Sequence, residues 1–195
     1  MNWKTRLFMT FCLMGLLAAS PAIISADTDH LRVKQGEMVH AQQALERYDA
    51  AGEPILQFFE TWTDGLRALQ REVRTDGQTL SYAYSGKDGH LVLEAGSKEA
   101  TAREESSVFL LDYETLKAGF DKETSLPGQQ YAKRACASIL LEKTENEDDW
   151  IKVYLDDETG FVLFCEAPLF RLRTSLLETA AADDGLLSLP DGPVL

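Results

Sequence analysis

The sequence has 195 residues, with 32 acidic side chains against 19 basic ones and a net charge of −13. This balance argues against nucleic-acid binding, because phosphate contacts depend on clustered lysine and arginine. It disfavours docking on an anionic lipid surface for the same reason. The length is sufficient for one domain with a hydrophobic core.

Residues 1–26 have the features of a secretory signal peptide. Lys4 and Arg6 give a positive start, residues 7–19 are apolar, and Ala26 is a small residue that suits cleavage after it. The apolar run is shorter than the roughly 20 residues that a membrane span needs. We therefore expect an exported protein, periplasmic or secreted, with no integral membrane segment once the leader is removed.

The rest of the chain, residues 27–195, is predicted to form a single β-rich domain, with a net charge of −15 after the two basic leader residues are lost. From Glu37 onward, apolar runs alternate with turn residues at intervals of about ten to twelve, which is typical of an antiparallel meander. Asp64-Gly65 and Asp76-Gly77 are strong hairpin signals, because a type I′ turn needs positive φ at both central residues. Residues 38–48 fit a helix or a strand, and the turn that follows favours a strand.

Two of the predicted strands carry large apolar side chains at alternate positions. In residues 54–63, aromatic and aliphatic groups occupy both faces, so something should cover each side of this strand. Residues 79–84 alternate more cleanly. Six large apolar residues of these two strands are the candidates for a ligand-binding inner face: Leu56, Phe58, Trp62, Leu80, Tyr82 and Tyr84.

The middle of the sequence changes character. Residues 95–107 are polar and predict a long exposed loop. Residues 108–111 read as a short apolar strand, and Asp112 is placed to cap a short helix over residues 114–120. Residues 126–128, Leu-Pro-Gly, predict another turn.

The clearest hairpin lies near the end of the chain. Two apolar runs, residues 150–155 and 161–165, flank the turn Asp-Asp-Glu-Thr-Gly at 156–160. Alternating apolar residues from Phe170 predict a last strand, with a short helix over residues 176–182 as the competing interpretation. A turn-rich tail follows.

Motifs for catalysis are missing from this sequence. His30, His40 and His90 are isolated, and no serine lies in a nucleophile elbow. The acids at 156–158 invite a calcium site, but their spacing does not fit an EF-hand loop, and a solvated turn is the simpler interpretation. We predict no catalytic residue, no metal site and no cofactor.

Two cysteines remain after export, Cys136 and Cys165. Disulfides persist in oxidising compartments, which favours a bond between them. An ideal hairpin register would instead separate them by about six residues along the strands, or roughly 20 Å, whereas bonded cysteines need Cα atoms within about 7 Å. A disulfide and two separate buried thiols are both open alternatives.

The hairpin also carries a family resemblance. Residues 153–163, V-Y-L-D-D-E-T-G-F-V-L, resemble a segment of the LolA/RseB-like lipoprotein-carrier superfamily, and Asp183-Asp184-Gly185 before Leu189-Pro190 is similar to the ending of such domains. The resemblance implies a mainly β fold with few short helices: a curved antiparallel sheet that forms an open half-barrel, with the helices on its concave side.

The resemblance implies a function as well. It suggests an exported, non-enzymatic periplasmic protein that binds a lipophilic ligand or a lipoprotein in an apolar concavity. The same aromatic residues could equally be a filled core. One alternative is an envelope protein–protein interaction module without a small-molecule ligand, which docks its partner through an exposed sheet edge or through residues 95–107. An unrecognised hydrolase is the other.

Overall fold

The computed structural model describes residues 31–48 and 51–191, apart from the side chain of Glu147. The predicted signal peptide, residues 1–26, lies outside the described residues. Within these ranges the chain forms eleven strands and one six-residue helix, α1 (Tyr113–Ala118). The strands are β1 (Glu37–Tyr48), β2 (Pro54–Thr63), β3 (Ala68–Val73), β4 (Thr79–Gly86), β5 (Gly89–Glu94), β6 (Thr101–Arg103), β7 (Lys122–Tyr131), β8 (Arg134–Lys143), β9 (Asn146–Asp156), β10 (Val162–Ala167) and β11 (Phe170–Ala181).

All eleven strands belong to one antiparallel sheet, in the order β6-β5-β4-β3-β2-β1-β11-β10-β9-β8-β7. The chain runs outward from β1 to β6, crosses to the opposite edge, and returns from β7 to β11. The first and last strands therefore pair at the centre, and β6 and β7 form two separate edges. The predicted mainly β class and open antiparallel sheet are confirmed. The position of helices on a concave side stays a prediction.

The crossing segment contains a buried apolar run, Val108–Leu111, which we call the strap. The sequence predicted a short strand here, but residues 106–110 lie outside the sheet. The reason is a side-chain partner. The amide of Gln70 accepts a hydrogen bond from the Phe109 N–H at 2.8 Å and donates one to the Phe109 carbonyl at 2.8 Å. Gln70 thus takes the place of a neighbouring strand.

The strap contributes alternate side chains to two hydrophobic clusters. Val108 and Leu110 belong to the cluster that contains Ala41 of β1, whereas Phe109 and Leu111 belong to the one built mainly on β8–β11. The Phe109 ring stacks on a β2 ring, Phe59, at 5.3 Å between centroids. We call the side of the sheet that contacts the strap the strap face, and the opposite side the far face.

Helix α1 begins as the sequence predicts. The Asp112 carboxylate accepts hydrogen bonds from the backbone N–H groups of Glu114 and Thr115, both at 3.1 Å, which caps the first turn. Leu116 is buried in the same cluster as Phe109, so the helix packs beside the strap. In the described part of the chain, no helix has the length and apolar character that a membrane crossing requires.

The β9–β10 hairpin is confirmed, but its turn is not simply a solvated one, because Asp156 is 1% exposed. Its carboxylate accepts two hydrogen bonds from the Arg134 guanidinium, at 2.8 and 2.9 Å, and two from the backbone and hydroxyl of Thr159, at 2.8 and 2.7 Å. Burial favours the neutral acid, but these bonds outweigh it and hold the pKa of Asp156 below its usual range. The buried carboxylate locks the hairpin turn onto β8.

The two cysteines are free and buried. Cys136 of β8 pairs opposite Asp156 of β9, and Cys165 of β10 pairs opposite Val153. Two strand spacings and three residues along β9 put their Cα atoms about 14 Å apart, beyond the roughly 7 Å that a disulfide allows. The register therefore gives two separate thiols, with a smaller offset than the sequence predicted.

Two further local predictions are corrected, and one is confirmed over its alternative. Residues 126–128 do not form a turn: they lie inside β7, at a register shift between Leu126 and Gln129, since an edge strand can accommodate a proline. The predicted last strand from Phe170 is confirmed and extends to Ala181, and the competing helix does not form, because the segment pairs with β1 along most of its length. The predicted loop 95–107 contains the short edge strand β6.

Candidate functional site

The structure places the six predicted ligand-binding residues together on the far face. They come from β2 and β4, and β3 lies between these strands. Trp62 is opposite Leu69, which is opposite Tyr84, so the three side chains form one row across the sheet. The strap and α1 pack against the other side of the sheet. The assignment of these six residues to a ligand-binding inner face stays a prediction.

The six residues, which we call the far-face patch, remain partly accessible. Leu56 is 49% exposed and Leu80 is 38% exposed, while the other four are half-buried. On the strap face of the same strands, Phe59 is buried beneath Phe109. The far-face patch is therefore an apolar surface that is available for contact.

A polar cluster lies inside the patch, centred on Glu60 of β2. Its carboxylate contacts Nε2 of His40 at 2.9 Å and accepts a hydrogen bond from the Arg71 guanidinium. Burial favours neutral Glu60, but the hydrogen bond with His40 and the positive charge of Arg71 outweigh it and lower the pKa of this carboxyl. The His40 ring stacks on Trp62, with centroids 5.2 Å apart and planes within 5°. The cluster fixes the orientation of the indole ring.

A second aromatic group lies on the other half of the sheet, on β7, β9 and β10. The rings of Tyr131, Tyr154 and Phe164 contact one another, with centroid separations of 5.8, 5.5 and 4.8 Å. Lys152 Nζ lies 5.2 Å from the centroid of the Tyr154 ring, within the range of a cation–π contact. All three rings are half-buried.

The strand register connects this group with the far-face patch. Residues that are directly opposite in antiparallel pairs project from the same face. Following the partners from β9 to β3 gives one continuous row, which we call the transverse row: Tyr154, Phe164, Arg173, Ala44, Phe58 and Val73. Arg173 is its one charged member and is exposed, whereas the others are half-buried.

The arrangement has the chemistry of a binding surface. Among residues 31–48 and 51–191, no group of three or more His, Cys, Asp or Glu side chains could hold a metal ion. His40 contacts a carboxylate and an indole ring, so it has a structural role in orienting Trp62. Aromatic rings in rows on a partly exposed sheet face instead supply apolar contact area.

Sequence reasoning missed the polar members of this face and the second aromatic group. In the sequence His40 is an isolated histidine, and no motif marks Glu60, Arg71 or Arg173. Alternation within a strand shows which residues share a face, and it does group Phe58, Glu60 and Trp62. Contacts across strands depend on the register between them. This register includes a shift between Gln42 and Gln43 that no local sequence pattern predicts.

No protein-family model matches the sequence, and no curated protein matches it. Among solved structures, the chain is similar to MucB in the MucA/MucB complex of Pseudomonas aeruginosa, with 17% identity, a TM-score of 0.54, and coverage of 87% of this chain and 60% of that chain. It is also similar to MucB crystallised by itself, with 16% identity, a TM-score of 0.50, and coverage of 89% and 62%.

A LolA superfamily protein from Nitrosomonas europaea is similar over 85% of this chain and 96% of that chain, with 9% identity and a TM-score of 0.40. The likeness to MucB confirms the LolA/RseB-like fold. The chain spans about three fifths of the length of the MucB chains that it matches.

Proposed function

We propose that this chain is an exported, non-enzymatic protein of the periplasm, and that its far face binds the apolar part of a lipophilic ligand or lipoprotein. The observation that carries this proposal is the far-face patch. Six large apolar residues from two strands share one face, and two of them are more than a third exposed. Apolar patches that remain accessible on a folded domain are characteristic of interaction sites.

The filling of the strap face supports a site on the far face. Each strap residue is at most 8% exposed, and the strap side chains are part of the two hydrophobic clusters. A ligand on the strap face would have to displace the strap and break its hydrogen bonds to Gln70. The far face needs no such rearrangement.

Separate observations support the proposed compartment and the proposed non-enzymatic role. The leader-like residues 1–26 and the resemblance of residues 153–163 to exported LolA/RseB-like carriers support a protein of the bacterial envelope. The far face offers rings and aliphatic groups in rows, with its central carboxylate already bound by Arg71 and His40. Such a surface supports binding better than chemistry.

Lipid binding is tested directly. The mature protein, purified from the periplasm, is extracted with organic solvent for lipid mass spectrometry and titrated with a fluorescent fatty acid. Binding of an acyl chain contributes about 0.8 kcal/mol per buried CH₂ group, so a double substitution Phe58→Ser, Tyr82→Ser should weaken binding at least tenfold. Leu66→Ser is the matched control, because Leu66 is 76% exposed on the β2–β3 turn, outside the far-face patch. An empty protein that fails to bind the probe would count against the proposal.

A protein partner is the second candidate function, and one observation favours it. Strand β7 is an edge of the sheet and is ten residues long, with most of its side chains exposed. Edge strands with free backbone groups can accept an extended segment of another protein as an additional strand. One similar structure is a complex of MucB with MucA. A stable partner recovered from envelope extract by lipid-free protein would support this function over the first.

A further inference from the structure

We infer that the far face selects an anionic amphiphile, a lipid with a carboxylate or phosphate head, and that Arg173 binds the head. This inference deepens the proposed function and depends on it. It rests on the position of Arg173 in the transverse row, on its lack of a partner within the described chain, and on the apolar residues on either side.

Arg173 lies at the centre of an apolar row. It is opposite Phe164 on β10 and opposite Ala44 on β1. Beyond Phe164 the row continues to Tyr154, and beyond Ala44 it continues to Phe58 of the far-face patch. Four strand spacings separate Tyr154 from Phe58, about 19 Å. The row is therefore long enough for an acyl chain to lie along it beside a single cation.

The guanidinium of Arg173 forms no hydrogen bond or ion pair with the residues that the structure describes. Three other arginines of the sheet form ion pairs: Arg171 binds Glu166, Arg71 binds Glu60 and Arg134 binds Asp156. Within the described residues Arg74 and Arg103 also form no ion pair, and Arg173 differs from them because it lies between apolar neighbours in the transverse row. Its fork of donors matches a carboxylate or phosphate group.

The neighbours of Arg173 determine which kind of anion would bind most tightly. Phe164 is half-buried against Tyr131 and Tyr154. Ala44 has a small side chain, so the surface between Arg173 and Phe58 forms a shallow depression. A free phosphate would use only the guanidinium. A lipid would use the guanidinium for its head and the rings for its chain, so the two contributions together favour an amphiphile.

The experiment compares oleate with oleyl alcohol, which has the same chain and a neutral head, as competitors for the fluorescent fatty acid on the mature protein. Oleate should bind about tenfold more tightly than the alcohol, as expected for a charge-assisted hydrogen bond. Arg173→Gln should remove that preference while changing alcohol affinity less than twofold, and Arg173→Lys should retain most of it. Arg171→Gln is the matched control, since Arg171 lies two residues away on the same strand and is already paired with Glu166.

The outcomes separate the two proposals. Equal binding of oleate and oleyl alcohol, or a preference that survives Arg173→Gln, would overturn the role of Arg173 and leave lipid binding in place. Loss of the preference in Arg171→Gln to the same extent would overturn it as well, because the effect would then come from general surface charge. Failure of both lipids to bind would overturn the inference and the proposed function together.

Discussion

The hydrogen bonds between Gln70 and the strap give a sharp test of how the sheet is covered. The substitution Gln70→Leu keeps the approximate size of the side chain and removes its amide. In the wild-type protein, the Gln70 amide makes two hydrogen bonds to the Phe109 backbone and one to the Thr61 hydroxyl, each at 2.8 Å. Gln70 itself is 3% exposed, so water cannot replace it without a rearrangement.

The expected loss follows from these three bonds. A buried hydrogen bond contributes about 1 kcal/mol net, and more when its partner is left without water. We therefore expect Gln70→Leu to lower the free energy of unfolding by about 3 kcal/mol. With a urea dependence of about 2 kcal/mol per molar, the midpoint of unfolding should fall by about 1.5 M.

The assay is urea unfolding followed by tryptophan fluorescence, together with hydrogen exchange of the Phe109 amide. Gln130→Leu on the exposed edge strand β7 is the matched control and should change stability by less than about 0.5 kcal/mol. The Phe109 amide should exchange slowly in the wild type and much faster in Gln70→Leu. A Gln70→Leu protein with unchanged stability and a still protected Phe109 amide would refute the argument that Gln70 holds the strap.

Two other predictions follow from buried groups. Asp156→Asn should destabilise the protein by about 3 kcal/mol at neutral pH, because it removes the buried charge that accepts two hydrogen bonds from Arg134 and leaves that arginine with the exposed carboxylate of Glu158. Since the folded-state pKa of Asp156 is lowered, this difference is fully present above its ordinary pKa of about 4 and is lost as the pH falls below it, which urea unfolding between pH 3 and 7 can follow. Native mature protein should leave Cys136 and Cys165 unmodified by iodoacetamide, because burial raises the pKa of both thiols, and both should react after denaturation without reductant. A native mass 2 Da lower, with no reactive thiol after denaturation, would contradict the free-thiol structure.

The sequence was informative wherever a local pattern determines the outcome. The hairpins at Asp64-Gly65 and Asp76-Gly77, the hairpin at 150–165 and the cap at Asp112 depend on residues within a few positions of one another. The predicted type I′ geometry of the two Asp-Gly turns is wrong, because Gly65 and Gly77 have positive φ and the aspartates before them do not. Periodicity alone also grouped Phe58 with Trp62, and Tyr82 with Tyr84, on shared faces. Those groupings survive in the structure because strand alternation does not depend on the rest of the fold.

Properties that depend on distant contacts could not be predicted in this way. The strap has the composition of a strand, and only the approach of Gln70 explains why its backbone bonds to a side chain instead. Asp156 has the sequence context of a solvated turn, and it is buried because Arg134 of another strand reaches it. Which sheet face is covered depends on the path of the chain after β6, and this path sets the position of the far-face patch.

The measurement that tests the central claim most directly is the position of a bound acyl chain. A fatty acid with a photoreactive group on its chain is bound to the mature protein, crosslinked by light, and located by peptide mass spectrometry. We expect labels on the far-face residues of β2, β4 and β10, above all Phe58, Tyr82 and Phe164. Labels confined to the strap residues Val108–Leu111 and their neighbours would contradict a far-face site, because they would show that the ligand displaces the strap.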